Sequence, residues 1–156
     1  MDWKTLFFSP EGRIGQSAFW IGWLALFGAN MVIHFLPIIG QLLGLVTLYC
    51  SVCVFSKRLH DMGRSGFLQI WPILICTVLV VGGIVMVAGP AIMAGIADAD
   101  ESQIMAAVMA GVGGMILALL AAFAIGVSFL LWVGLSKGQP GENRYGPAPA
   151  AAATVA

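Results

Sequence analysis

Four long apolar runs of this chain, at 18–36, 38–55, 67–88 and 104–135, contain no aspartate, glutamate, lysine or arginine. This absence of charge is the strongest constraint on the fold. A hydrocarbon layer of roughly 30 Å is crossed by about 20 helical residues, so each run can form one span. Lipid offers no partner to backbone N–H and C=O groups, which favours helices over open strands. The sequence predicts an all-α fold, an integral membrane bundle of four transmembrane helices within a domain over 1–147.

The composition supports lipid as the solvent. Hydrophobic residues make up 60% of the chain and charged residues only 9%, whereas a soluble domain has about 25% charged residues. A soluble chain of 156 residues could not bury so much apolar surface, because small domains leave much of their surface exposed. The formal net charge is zero, so no basic excess points to nucleic acid as a partner. The first apolar run lacks a cleavage site and is expected to remain as the first span.

The cations are distributed in a way that predicts the orientation of the chain. All seven lie before the first run, between the second and third runs, or after the fourth run: Lys4, Arg13, Lys57, Arg58, Arg64, Lys137 and Arg144. Cytoplasmic loops carry an excess of lysine and arginine. We therefore expect both termini and the loop 56–66 to lie in the cytoplasm.

Two groups of residues resemble metal ligands, but neither has the pattern of a metal site. Cys50 and Cys53 form a C-x-x-C without a second ligand pair, so we interpret them as buried apolar side chains of a helix. Asp98, Asp100 and Glu101 lack the spacing of a calcium loop, and acids before the fourth run offset the positive end of its helix dipole. No metal and no cofactor are predicted.

Small residues recur at every fourth position of the fourth run. They are Ala106, Ala110, Gly114, Ala118, Ala122 and Gly126. Small side chains let membrane helices approach closely, so this stripe predicts close packing within the chain or with another copy of it. The absence of charge inside the runs counts against an ion- or proton-coupled carrier, which needs an ionisable group at membrane depth.

The segment 56–66, SKRLHDMGRSG, is the most polar stretch between apolar runs. As a structural hinge, it would end a helix at Gly63 in a left-handed conformation and start the next at Ser65. Asp61 is predicted to pair with one of three arginines, namely Arg13, Arg58 or Arg64. As a binding site, the same segment would use arginine forks and His60 to hold a phosphate or lipid headgroup at the membrane surface. The sequence leaves both interpretations open.

Three segments of the chain resemble a known family. The run 58–66, RLHDMGRSG, resembles the signature of the bacterial membrane family called domain of unknown function 805. Gly12-Arg13 followed by Phe19-Trp20 resembles the family's entry into its first span, and 141–147, GENRYGP, resembles its segment after the last span. The family often has a basic residue where this chain has Gln16, which weakens the case for a phosphate contact at that position.

This resemblance implies a small protein of the bacterial inner membrane but supplies no activity. It also implies that the three matching segments converge on the cytoplasmic side as one polar cap. The polar cap consists of Arg13, Arg58, His60, Asp61, Arg64, Asn143, Arg144 and Tyr145.

Three functions are compatible with the sequence. The first is a non-enzymatic membrane protein whose polar cap binds anionic lipid, a small anion or a membrane protein partner. The second is a small transporter or channel subunit, with other copies of itself as partners. The third is a membrane enzyme that uses His60 and Asp61, but adjacent helical positions point about 100° apart, and no catalytic residue is predicted. The tail 148–156, rich in alanine, is predicted to be disordered.

Overall fold

A computed structural model describes residues 2–149, and the regular structure of that range is helical. The helices are α1 (Trp3–Phe8), α2 (Gln16–Ile33), α3 (Ile39–Asp61), α4 (Ile70–Ile96) and α5 (Glu101–Leu135), with a 3₁₀ helix at Gly66–Gln69. Four of them, α2 to α5, are long and apolar enough to cross a membrane. The predicted all-α class with four membrane-length helices is confirmed. Residues 150–156 of the tail predicted to be disordered lie outside the described range.

The chain divides into two compact units, and the single membrane domain over 1–147 stays a prediction. The first unit consists of residues 1–69 and 131–156, and the second of residues 70–130. All seven cations fall in the first unit together with four of the seven acids, which gives a net charge of +3. The second unit holds the other three acids and no cation, so its net charge is −3. The neutral chain therefore separates charge strongly between its two units.

Helix α3 continues through the polar residues to Asp61, although the apolar run that predicted it ends at Phe55. Glycine, and not the loss of hydrophobicity, ends this helix. Gly63 has a φ of 71°, and the N–H of Arg64 donates to the Leu59 carbonyl at 2.8 Å. This is the left-handed helix end predicted for Gly63, which glycine adopts without steric cost. The Ser65 hydroxyl then accepts from the N–H of Phe67 at 3.3 Å, as predicted for a cap.

Helix α2 and its neighbours form the packed interior of the first unit. The helix ends at Ile33, earlier than the predicted Leu36. The N–H groups of Phe35 and Leu36 donate to the Val32 and Ile33 carbonyls in tighter i→i−3 turns, and Pro37 has no N–H to continue the ladder. Phe19 of α2 is fully buried and meets Phe55 of α3 edge-to-face, with ring centroids 5.1 Å apart. The short α1 packs on this pair of helices through Leu6, which is also buried.

The Asn30 side chain contributes a polar contact between α2 and α3. Its Oδ1 accepts a hydrogen bond from the Thr47 hydroxyl at 3.2 Å, while its Nδ2 donates to the Leu26 carbonyl. Thr47 is buried, with 9% of its surface exposed. Polar side chains of this kind hydrogen-bond across membrane helices where no water can serve them.

In the second unit, α4 runs through Gly89-Pro90 to Ile96, so it extends beyond the apolar run 67–88 that predicted it. Proline removes the N–H that would have bonded the Met86 carbonyl. Gly111 of α5 lies against that carbonyl so closely that a Cβ at this position would overlap the Met86 backbone. Membrane helices tolerate proline where a neighbouring helix packs against the interrupted turn.

The acidic turn between α4 and α5 caps α5, which begins at Glu101. The Asp100 carboxylate accepts hydrogen bonds from the N–H of Gln103 at 3.0 Å and from the Ser102 hydroxyl at 2.6 Å. The hydroxyl of Ser102 and then the amide of Gln103 hold the pKa of Asp100 below its ordinary value, because both stabilise the ionised form. An acid at this position therefore acts on the helix start, as the dipole argument predicted.

Candidate functional site

Asp61 lies in the first unit between two arginines that are far apart in sequence. Its Oδ1 is 3.0 Å from Nη2 of Arg13, and its Oδ2 is 2.5 Å from Nη1 of Arg58. The three side chains are almost completely buried, with exposures of 1% for each arginine and 5% for Asp61. We call Arg13, Arg58 and Asp61 the arginine cluster. It carries two positive charges and one negative charge in a site sheltered from water.

Arg13 uses every N–H group of its guanidinium inside the protein. Nε and Nη2 donate to Asp61 Oδ1 at 3.2 and 3.0 Å. The other contacts are to backbone carbonyls of the chain after α5: Nη2 to Gln139 at 2.7 Å, and Nη1 to Gly141 at 2.7 Å and Gly146 at 3.2 Å. Arginine offers five donors in a fixed fork, and here all five have acceptors. Arg13 therefore fixes the course of the segment that follows α5.

Arg58 also binds backbone carbonyls, at the point where α5 ends. Its Nε donates to the Val133 carbonyl at 3.1 Å, and its Nη2 donates to the Ser136 carbonyl. Val133 belongs to the last turn of α5, where backbone oxygens have no helical donor, and Ser136 follows the helix directly. A cation at a helix C-terminus also opposes the negative end of the helix dipole. Arg58 thus joins the end of α3 to the end of α5.

Gly138 and Gln139 bring the chain against Asp61 from the remaining side. A Cβ at position 138 would overlap the Asp61 carboxylate, so only glycine fits there. The N–H of Gln139 donates to the Asp61 carbonyl at 2.8 Å. The sequence analysis missed both residues, because their contribution comes from backbone atoms and the lack of a side chain. The only sequence signal was a glycine inside a polar stretch after the last apolar run.

His60 and Tyr145 form the second cluster of the polar cap. Their rings are stacked with centroids 3.8 Å apart and an angle of 8° between planes. The guanidinium of Arg144 lies over the Tyr145 ring, 4.7 Å from its centroid. Asn143 completes the arrangement, since its Nδ2 donates to the His60 carbonyl at 3.0 Å. A cation over an aromatic face is attracted by the ring electrons.

Arg64 has a different position from that expected for a partner of Asp61. Its guanidinium lies over the ring of Trp132, 5.1 Å from the centroid, and the residue is exposed. Two of the three arginines predicted as partners, Arg13 and Arg58, do contact Asp61, and Arg64 does not. The remaining seven residues of the polar cap form two groups. One is the arginine cluster, and the other consists of His60, Tyr145, Arg144 and Asn143.

Two polar contacts near the cap were not foreseen from the sequence. Lys57 is buried and its ammonium donates to the Thr5 carbonyl of α1. Gln16, at the first position of α2, donates through Nε2 to the Gly134 carbonyl at 2.8 Å. Both side chains tie a helix end to a backbone oxygen of a neighbouring element. The amide of Gln16 thus has a structural contact at the position where a phosphate contact had been considered.

A cavity of about 680 Å³ adjoins the arginine cluster in the first unit. Its lining comes from the arginine cluster, the first turn of α2 and the segment after α5, including Lys137 and Pro149. Cys50 and Cys53 are free and buried elsewhere in α3. Within residues 2–149, no group of three histidines, cysteines or acids has an arrangement that could hold a metal ion.

The helices and the cap together define an all-α protein whose described residues, 2–149, include four candidate membrane spans and a buried ionic cluster. The chain belongs to the family described as Protein of unknown function (DUF805), whose sequence pattern matches residues 7–147. The family membership expected from the polar segments is therefore confirmed.

Two curated relatives are similar to part of the chain. They are the proteins named Uncharacterized protein YiiR of Escherichia coli strain K12 and of Escherichia coli O157:H7. Each is 45% identical over 67 residues, which cover 38% of this chain and 45% of the relative. The chain thus spans less than half the length of these relatives. No solved structure matches it.

Proposed function

We propose that this protein is a non-enzymatic, multi-pass protein of the bacterial inner membrane whose polar cap binds anionic lipid on the cytoplasmic face. The observation that carries this proposal is the charge of the first unit, which holds all seven cations and a net charge of +3. Cations near membrane spans are retained on the cytoplasmic side. Anionic lipids give that leaflet a negative surface potential, to which each nearby cation contributes about 1 kcal/mol of attraction.

Exposed cations support lipid as the ligand of the cap. The side chains of Arg13 and Arg58 are buried by contacts within the chain, but Arg64, Lys137 and Arg144 are exposed. Arg64 and Arg144 also rest on aromatic rings, which hold the guanidinium in place without using its N–H groups. A guanidinium held in this way presents its planar fork to a phosphate. A small soluble anion or an acidic protein partner would use the same chemistry.

The proposal of a non-enzymatic protein rests on the contacts of the two candidate acid–base residues. The Asp61 carboxylate is paired with two arginines, while the His60 ring is stacked on Tyr145 with its Nδ1 3.2 Å from the Gly12 carbonyl. General acid–base catalysis requires a group within hydrogen-bond reach of the proton it transfers. Both groups are engaged in separate structural contacts that do not bring them to one reacting atom.

Lipid preference of the purified wild-type protein tests the proposal. Native mass spectrometry from mild detergent would identify lipid that co-purifies with the protein. Thermal unfolding would then be compared after addition of phosphatidylglycerol or of zwitterionic phosphatidylcholine with the same acyl chains. We expect phosphatidylglycerol alone to stabilise the fold, by about 2.7 kcal/mol at 100 times its dissociation constant. Equal effects of the two lipids would contradict the proposal.

A further inference from the structure

The cavity beside the arginine cluster has an excess of positive charge in its wall. Arg13, Arg58 and Lys137 line it together with a single acid, Asp61. The two arginines are each 1% exposed, so their charges cannot be screened well by water. One carboxylate compensates for only one of them. A buried charge without compensation is costly, and an anion in the cavity would remove this cost.

The wall of the cavity also offers hydrogen-bond donors. The buried guanidinium of Arg58 lines the cavity. Lys137 adds an exposed ammonium. The first turn of α2 contributes backbone amides, since its capping residue, Gly15, has no side chain to accept from them. These donors come from three separate segments that surround one space.

We propose that this cavity binds a phosphate group, with Lys137 as the residue that contacts it directly and the arginine cluster as the positive charge behind it. The inference rests on the proposed function and specifies where on the cap the ligand binds. Phosphate fits better than a carboxylate because it carries more acceptor oxygens for donors that approach from several sides. The cavity opens at the start of a membrane-length helix, which is the depth of lipid headgroups.

Ser17 allows a test that separates binding from folding. It lines the cavity on the first turn of α2 and is exposed. A Ser17→Glu substitution adds a negative charge where a helix start favours one, so the fold should keep its stability. The same charge would repel a phosphate, and we expect the affinity for phosphatidylglycerol to fall at least about tenfold. The Ser17→Gln variant has the shape of Ser17→Glu without the charge, so the loss of affinity in Ser17→Glu beyond that in Ser17→Gln measures the effect of the charge.

Lys137→Gln tests the direct contact, with Lys4→Gln as a matched control. Both lysines are exposed, and only Lys137 lines the cavity. We expect Lys137→Gln to weaken phosphatidylglycerol binding about fivefold, the effect of one cation near an anionic headgroup, and Lys4→Gln to leave it unchanged. Each protein would be titrated in detergent with phosphatidylglycerol, phosphatidylcholine and inorganic phosphate, and binding would be followed by native mass spectrometry and thermal unfolding.

The results distinguish a lipid phosphate from a soluble one. They also distinguish failure of the cavity as the binding site from failure of the proposed lipid binding. A response to phosphatidylglycerol alone would support a lipid headgroup in the cavity, and a response to inorganic phosphate as well would support a soluble phosphate ester. Equal losses in Lys137→Gln and Lys4→Gln, or normal binding by Ser17→Glu, would overturn the cavity as the site while leaving lipid binding by the cap intact. If wild type does not prefer phosphatidylglycerol, the proposed function itself fails.

Discussion

The Arg13 guanidinium and the Asp61 carboxylate, 48 positions apart in sequence, lie 3.0 Å from each other in the interior of the first unit. Arg13 precedes α2, Asp61 ends α3, and the remaining donors of Arg13 hold carbonyls of the segment after α5. Arg13 thus holds together three parts of the chain that are far apart in sequence: its own segment, the end of α3 and the segment after α5. The polar cap is consequently a folded structure whose geometry depends on charge compensation.

Replacement of Arg58 by lysine tests whether the guanidinium fork, and not only its charge, is needed. Lysine keeps the charge but cannot reach the carbonyls of Val133 and Ser136 together with Asp61. We expect Arg58→Lys to lower the free energy of unfolding by about 1–3 kcal/mol, the cost of buried groups left without partners. Arg64→Lys is the matched control, since that residue is exposed, and it should change stability by less than about 0.5 kcal/mol. Equal losses would contradict this role of Arg58.

A methyl group at position 138 tests the close approach of the chain to Asp61. Gly138→Ala would force a Cβ into the carboxylate, and overpacking of this kind costs about 1–3 kcal/mol. Gly28→Ala in α2 is the control, because nothing lies within 4 Å of the added methyl group. It should be neutral or stabilising, since alanine favours a helix by about 1 kcal/mol over glycine. Unchanged thermal unfolding of Gly138→Ala would show that Asp61 has room to move.

The sequence predicted the helices well because long uncharged runs have few alternatives in lipid. It was less accurate at helix ends. The run that predicted α3 ended at Phe55, but the polar residues beyond it find partners inside the first unit, so the helix continues to Asp61. The helix around Pro90 also continues beyond its apolar run. Gly111 packs against the interrupted turn, and this contact could not be predicted from one run alone.

The pairing of Asp61 with arginine was predicted, but the geometry of the cap was not. The single acid among several cations indicated that Asp61 would pair with arginine, and Arg13 and Arg58 do so. Arg64, the third candidate partner, lies over Trp132 instead. Backbone carbonyls supply most of the other acceptors, and any residue type can supply a carbonyl. The contacts of the cap that depend on backbone carbonyls could therefore not be predicted from the sequence.

Close packing in the second unit is tested by one substitution on the stripe of small residues. A Cβ at Gly114 would lie 2.9 Å from the Met86 sulfur, whereas a Cβ at Gly113 meets nothing within 4 Å. We expect Gly114→Leu to reduce the melting temperature in detergent, with a loss of about 1–3 kcal/mol, and Gly113→Leu to have a smaller effect. If Gly113→Leu is the more damaging variant, the face of α5 that carries Gly113, and not the stripe, makes the closer contact.

The orientation of the chain is tested with single cysteines at Ser9, Ala99 and Pro149 in a background without native cysteines. The first and third lie with the cations of the first unit, and Ala99 lies in the acidic turn of the second. In intact cells with a permeable outer envelope, an impermeant thiol reagent should label only the cysteine at 99. Labelling at 9 or 149 would place the polar cap outside the cytoplasm and remove the basis for its proposed lipid.

The most direct test of the arginine cluster is a double-mutant cycle between Arg13→Gln and Asp61→Asn. The free energy of unfolding of the four proteins would be measured by denaturant titration in detergent micelles. If the pair holds the cap together, each single substitution is destabilising and the double substitution costs less than the sum, with a coupling of about 1.5–3 kcal/mol. Additive losses would mean that the two side chains act independently, and this result would contradict the account of the cap.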